Sequence, residues 1–185
     1  MACPMTRLIS LCLCALLALS ACAAPPMPQL GPDGRPLPQI NRISEAETRQ
    51  IQFRMLDAVN SLRDANGVQP VELDERLTAA AATHSRDMAV QGRPWHFGSD
   101  GSSPVDRINR AGYDGELIGE TISETYESEL ETLTAWMDEE TTRRVILNPD
   151  ATRMGFAWQQ EPNGKIWWTM VLGGDGQAQT VTPGV

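Results

Sequence analysis

The most constraining feature of this sequence is a pair of alternating apolar segments near its carboxyl end. The alternating positions are Met154, Phe156 and Trp158, followed by Ile166, Trp168, Met170 and Leu172. Between the two segments lies Pro162-Asn163-Gly164, a sequence typical of turns. The pattern predicts a β-hairpin with one aromatic-rich face. Such a face has to be covered by other elements, so the hairpin requires a layer of helices.

Capping signals and helical spacing predict those helices upstream of the hairpin. Ser44 and Glu47 have the spacing of a capping box, and Asn66-Gly67 ends the apolar periodicity that follows. Glu116 to Ser123 alternates as a strand does. The sequence therefore predicts an α+β domain in which helices pack on an antiparallel sheet. The four predicted helices begin at Ser44, Asp74, Ser103 and Ser128.

The amino-terminal residues are typical of a bacterial lipoprotein signal. Arg7 precedes an apolar run, Leu8 to Leu19, which is shorter than the ~20 residues that a bilayer-spanning helix needs. Leu19-Ser20-Ala21-Cys22 resembles a lipobox, in which Cys22 is acylated after residues 1–21 are removed. The alternative is an ordinary signal peptide that is cut between Ala21 and Ala24.

The cysteine pattern supports the lipid anchor. The other three cysteines lie within residues 1–21, so Cys22 is the only cysteine of the predicted mature chain. We expect an exported protein that is anchored to the cell envelope through acyl chains such as palmitate, in the outer membrane if the bacterium has two membranes. Residues 22–43 form a proline-rich tether, residues 44–173 the domain, and residues 174–185 a flexible tail.

Charge and histidine content exclude two classes of function. The chain has 15 Lys and Arg residues against 24 Asp and Glu residues, a net charge of −9. This acidity argues against nucleic-acid binding, because few cations are available to replace the counterions of phosphate. With only two histidines, the chain cannot build a three-histidine metal site.

Six short motifs, in order, resemble a bacterial CAP (SCP/PR1-like) domain over residues 45 to 173. They are Leu56 to Arg63 with Gly67; His84-Ser85-Arg86-Asp87-Met88-Ala89; His96; Arg107 to Tyr113; Gly119-Glu120-Thr121-Ile122 with Trp136; and Ile146-Leu147-Asn148-Pro149. The resemblance implies an α-β-α sandwich, in agreement with the element order.

The resemblance also implies a central cavity lined by histidines and acidic residues. His96, Glu120 and Glu139 match three of its positions. The second histidine is missing, because Thr142 and Ile166 stand at its two alternative positions. We therefore expect His96 and Glu120 to form a hydrogen-bonded structural pair, and we expect neither a metal nor a cofactor.

Other chemistry-bearing residues are expected to be structural. His84 lies on the apolar stripe of the second helix, which predicts a buried core histidine. Ser85 cannot act as a nucleophile with His84 as its base, because adjacent helical residues point about 100° apart. Trp158 and Trp168 are predicted core residues, and Trp167 points to the opposite face of the hairpin.

Two functions follow from these residues. The favoured one is a non-enzymatic binding module, which uses the cavity or a groove for a small lipophilic ligand, an envelope polymer or a protein partner. The alternative is a metal-assisted hydrolase of envelope or peptide substrates acting through His96, Glu120 and Glu139. The missing histidine favours the first.

Overall fold

The computed structural model describes Pro32, Gly34, Arg35 and residues 40–176. The chain divides into two units, Met1–Gln39 and Ile40–Val185, and the helices and strands below belong to the second. The predicted signal peptide, Cys22 and most of the tether and tail lie outside the described residues. Among the described helices, none combines the length and hydrophobicity needed to cross a bilayer.

The described part of the second unit contains five helices and four strands. In chain order they are α1 (Glu45–Ala65), β1 (Glu72–Leu73), α2 (Glu75–Gln91), α3 (Pro104–Arg110), β2 (Glu116–Glu124), α4 (Glu129–Asp138), α5 (Glu140–Ile146), β3 (Arg153–Gln160) and β4 (Ile166–Gly174). The four predicted helices correspond to α1 to α4, and the predicted hairpin is β3 and β4.

The strands form one mixed sheet in the order β1-β3-β4-β2. β3 pairs antiparallel with β4, as the predicted hairpin requires, and β2 pairs antiparallel with the other edge of β4. β1 pairs parallel with β3 through Glu72 and Leu73, a pairing that the sequence analysis missed. A two-residue strand that follows Pro70 has too few positions to show alternation, so only its tertiary contacts define it.

Helices cover both faces of the sheet, so the predicted α-β-α sandwich is confirmed. On one face, α1, α4 and α5 pack against the aromatic side of the hairpin, where Phe156 and Trp168 are fully buried and their rings stack 5.6 Å apart. On the other face, α2 and α3 pack against Ala157 and Val171. Trp167 is also buried, with its side chain on this second face, as its alternation with Trp168 predicts.

Helix α2 lies directly on the backbone of β3. A Cβ atom placed on Gly155 would lie 2.1 Å from the carbonyl carbon of Leu77 and 2.4 Å from its oxygen. Only glycine permits this approach. The close contact fixes the height of α2 over the sheet and therefore the position of the side chains on its inner face.

Helix α5 was not predicted from the sequence. Its N-cap, Glu139, makes no side-chain capping hydrogen bond, so the local signal that revealed the other helix starts is missing. At the other end of the domain, β4 continues to Gly174, one residue beyond the predicted boundary, where Gly174 accepts a hydrogen bond from the hydroxyl of Tyr113.

Candidate functional site

Glu120 lies at the centre of a buried polar cluster. It stands on β2 opposite Val171, on the sheet face that α2 and α3 cover, and its side chain is 2% exposed. The carboxylate accepts hydrogen bonds from Nη2 of Arg107, at 2.9 Å to Oε1 and 2.7 Å to Oε2. A buried carboxylate is strongly destabilising without a cation beside it. Arg107 supplies that cation.

Local structure at the start of α3 presents Arg107 to the sheet. Ser103 and Asp106 form a capping box, and Pro104 occupies the first turn of the helix. Nη1 of Arg107 donates to the carbonyl oxygen of Ser102 at 3.1 Å. The guanidinium is therefore held from both sides, by the loop before the helix and by Glu120.

His84 reaches the same carboxylate from α2. Its Nε2 lies 2.9 Å from the carbonyl oxygen of Trp95 and 3.6 Å from Oε1 of Glu120. Since a carbonyl oxygen only accepts, Nε2 carries the proton. Nδ1 is buried and has no hydrogen-bond partner within the described residues. Burial lowers the pKa of His84, against the effect of the Glu120 charge, and so favours the neutral ring.

His84 is buried, as predicted, and Ser85 points elsewhere. The hydroxyl of Ser85 donates to Oγ1 of Thr169 at 2.8 Å and lies 3.3 Å from the carbonyl oxygen of Ala157. The two adjacent residues therefore serve different neighbours, in agreement with their angular separation on the helix.

His96 lies in the loop between α2 and α3 and forms the expected hydrogen bond with Glu120. Nδ1 of His96 is 2.9 Å from Oε1, and because a carboxylate accepts, Nδ1 carries the proton. The side chain is 50% exposed. Nε2 makes no hydrogen bond within the described part of the chain. In the neutral ring, it is a free hydrogen-bond acceptor at the protein surface.

The loop that carries His96 is tied to α2 at several points. Gln91 accepts a hydrogen bond from the indole Nε1 of Trp95 at 2.7 Å and donates one to the carbonyl oxygen of Phe97 at 3.1 Å. Asp87 accepts from both the backbone nitrogen and the hydroxyl of Ser99, at 2.7 and 2.6 Å. These bonds fix the loop backbone although the side chains of His96 and Phe97 are exposed.

An open groove of about 630 Å³ runs beside His96. One wall is the loop Pro94-Trp95-His96-Phe97, and the other is the end of β2, from Ile122 to Glu124, together with Tyr126. Phe97 is 49% exposed and Tyr126 is 41% exposed. The groove therefore combines exposed aromatic rings with the free nitrogen of His96.

The structure does not bring Glu139 to this groove. Glu139 is exposed at the junction of α4 and α5, and its Oε1 accepts from the hydroxyl of Thr141 at 3.1 Å. No hydrogen bond or ion pair within the described residues joins Glu139 to His96 or Glu120. The hydroxyl of Thr142 is hydrogen-bonded to the carbonyl oxygen of Trp136, and Ile166 is buried in the core.

The polar cluster does not fit a divalent cation. Among the described residues, no three His, Cys, Asp or Glu side chains are grouped so that they could share an ion. One guanidinium nitrogen of Arg107 contacts both oxygens of Glu120, which occupies the carboxylate and places a positive charge where the ion would lie.

Sequence reasoning missed two partners of Glu120, namely Arg107 and His84. Arg107 was part of a recognised motif but had no assigned role, and its neighbour Ile108 is buried beside it. A basic residue next to an apolar one on so short a helix is only a weak indication that the basic side chain is buried. The two partners lie 13 and 36 positions from Glu120 in the sequence, so no local pattern joins them to it.

A family model and two curated relatives match this chain. The model of CAP, the Cysteine-rich secretory protein family, matches residues 56–172. Uncharacterized protein YkwD of Bacillus subtilis is 29% identical over 120 residues, 65% of this chain and 46% of the relative. Uncharacterized membrane protein YlbC of the same organism is 27% identical over 117 residues, 61% of this chain and 34% of the relative. The chain thus spans less than half the length of each of these relatives.

Solved structures show the same fold. An outer surface protein from Borrelia burgdorferi superposes with a TM-score of 0.65 and 16% identity, covering 74% of this chain and 99% of that one. An extracellular protein containing an SCP domain from Bacillus anthracis superposes with a TM-score of 0.61 and 20% identity, covering 71% and 44%. At these identities, the likeness establishes the architecture alone.

Proposed function

Because the chain belongs to the CAP family, the Cysteine-rich secretory protein family, we propose that it is an exported, lipid-anchored binding module of the cell envelope. Cys22 carries the anchor, and the domain binds its ligand without transforming it. Several related proteins are described by their names as an outer surface, extracellular or membrane protein, which supports export. The ligand comes from the envelope, whether a small molecule, a polymer or a protein.

The groove beside His96 is the observation that carries this proposal. A single exposed aromatic side chain is ordinary, but a contiguous exposed apolar patch marks a binding surface more often, and here Phe97 and Tyr126 line one groove. The backbone that bears Phe97 is already fixed by its hydrogen bond to Gln91. A ligand that contacts these rings therefore orders little of the protein, which lowers the entropic cost of binding.

The polar cluster behind the groove supports binding more than hydrolysis. A histidine backed by a carboxylate is the arrangement of a general base, which keeps the hydrolase as the alternative. In this site, however, Arg107 neutralises Glu120, and Glu139 lies elsewhere. The hydrolase hypothesis requires both acidic residues, but the first is already bound by an arginine and the second lies outside the groove.

Ligand capture with matched phenylalanine variants tests the proposal. The full chain is purified from envelope membranes, and the small molecules that accompany it are identified by mass spectrometry. We expect a bound molecule with wild type and with Phe53→Ala, which removes a similarly exposed phenylalanine from α1. We expect its loss with Phe97→Ala.

Two results would contradict the proposal. One is equal recovery of the molecule from wild type and Phe97→Ala. The other is conversion of a supplied envelope substrate by wild type that is abolished in His96→Gln, because this outcome identifies a hydrolase.

A further inference from the structure

We propose that the groove beside His96 binds a neutral sugar ring of an envelope glycan. This inference rests on the proposed function and narrows it to one class of ligand. It follows from three properties of the groove: the rings that are exposed, the hydrogen-bonding groups that are free, and the balance of charge.

The exposed rings suit a ligand with a flat apolar face. Trp95, Phe97 and Tyr126 all line the groove, and the centres of the first two rings lie 5.6 Å apart. The guanidinium of Arg93 lies over the Trp95 ring at 3.4 Å, so that ring is partly covered and Phe97 and Tyr126 are the open ones. The C–H face of a sugar packs against such rings without displacing any protein group.

One free polar group of the groove is Nε2 of His96, which makes no hydrogen bond within the described residues and, with the ring proton on Nδ1, can accept one. Glu124 also lines the groove, but its carboxylate is paired with Lys165. The indole N–H groups nearby are already used: Trp95 donates to Gln91, and Trp168 donates to the carbonyl oxygen of Tyr126. A ligand that matches this surface must bring donors, as the hydroxyl groups of a sugar do.

The same argument disfavours a proline-rich peptide. Grooves lined by aromatic residues also bind polyproline helices, which they recognise through donors that reach the carbonyl groups of the peptide. Prolines have no N–H of their own to offer Nε2 of His96. An acyl chain likewise leaves this nitrogen without a partner.

Local charges favour a neutral ligand over an ionic one. Glu124 is paired with Lys165, and Glu120 is paired with Arg107. The groove thus has no uncompensated carboxylate for a cation. The acidic chain as a whole, with a net charge of −9, disfavours a polyanionic polymer.

Titration of the full chain with a defined neutral oligosaccharide tests the inference. The probe is the tetramer of N-acetylglucosamine, and binding is measured by isothermal titration calorimetry at neutral pH. We expect saturable binding that Phe97→Ala and Tyr126→Ala each weaken about tenfold, the loss of roughly one aromatic contact. Phe53→Ala serves as the matched control and is expected to bind as wild type does. Circular dichroism of each variant checks that it is folded.

Two further probes separate this inference from the proposed function. A fatty acid and a proline-rich peptide are titrated into the same proteins. Binding of either one that depends on Phe97, without binding of the oligosaccharide, would overturn the sugar assignment and leave the binding module standing. Equal weakening by Phe97→Ala and Phe53→Ala would overturn the groove as the site. No binding of any probe, together with no captured envelope molecule, would overturn both.

Discussion

Arg63 is a fully buried charge with no carboxylate partner among the described residues. Its guanidinium donates to the backbone carbonyl oxygens of Gln69, Ile146, Asn148 and Ala151, at distances of 2.7 to 3.0 Å. Burial lowers the pKa of Arg63. One side chain thus ties the end of α1 to the end of α5 and the segment that leads into β3.

Replacing Arg63 should therefore be costly. Arg63→Met keeps most of the volume but removes four hydrogen bonds to buried or half-buried carbonyl oxygens, and we expect it to lower the free energy of unfolding by about 3 kcal/mol or more. Urea denaturation measures this change. Arg49→Met, at an exposed position of the same helix, is the control and should change stability by less than about 0.5 kcal/mol. A comparable loss in both variants would contradict the structural role of Arg63.

His84 should make the stability of the domain depend on pH. Burial lowers the pKa of His84 in the folded protein from the ordinary value of 6.5; the charge of Glu120 opposes this shift, and that of Arg107 adds to it. The unfolded chain then binds a proton that the folded one does not. Stability should be fully present above pH 6.5 and decrease as the pH falls below it.

The comparison with His84→Gln measures this contribution. The amide of glutamine can donate to the carbonyl oxygen of Trp95 but does not titrate. Free energies of unfolding between pH 5 and pH 8 should fall more steeply with acid in wild type than in the variant. His96 is present in both proteins, so the difference isolates His84. Parallel curves would show that the pKa of His84 is the same in the folded and unfolded protein, and a shallower fall in wild type would show that folding raises it.

At the scale of elements, the contact between α2 and β3 is set by Gly155. The Cβ atom of an alanine there would meet the backbone of Leu77, which cannot move without moving the helix. Gly119 on β2 is also crowded, but its neighbour is the side chain of Val145, at 2.7 Å from the added atom. The Val145 side chain lies on the short helix α5, which can shift slightly, whereas the contact at Gly155 is with the backbone of the long helix α2.

These two glycines predict different outcomes for the same substitution. Gly155→Ala should destabilise the domain by about 3 kcal/mol or more, at or above the upper end of ordinary overpacking. Gly119→Ala should cost less, because Val145 can adjust. Thermal and urea denaturation of both variants measure the difference. If Gly119→Ala is the more damaging of the two, then α2 is not held where the structure has it.

At the scale of the whole molecule, the lipid anchor can be tested without reference to the fold. Cys22→Ser removes the sulfur that the acyl chains require, so the protein should move from the membrane fraction to the soluble fraction of the envelope or to the medium. Cys14→Ser, within the predicted signal peptide, is the matched control and should leave fractionation unchanged. Immunoblots of fractionated cells measure both. Unaltered membrane association of Cys22→Ser would exclude the anchor.

Most of the secondary structure could be predicted because its signals are local. The capping box at Ser44, the N-cap at Asp74 and the alternation in the hairpin each act over a few residues. The exceptions lacked such signals. The start of α5 has no side-chain cap at Glu139, and β1 is too short to show a period.

The sequence by itself predicted the order of four helices, β2 and the hairpin, and the family resemblance added the sandwich and the pairing of His96 with Glu120. Only the tertiary structure decided which further side chains meet Glu120. Arg107 comes from α3 and His84 from α2, and both reach it because the helices pack on one face of the sheet at a height that Gly155 allows. Such convergence depends on the packing of distant elements, which leaves no periodic trace in the sequence.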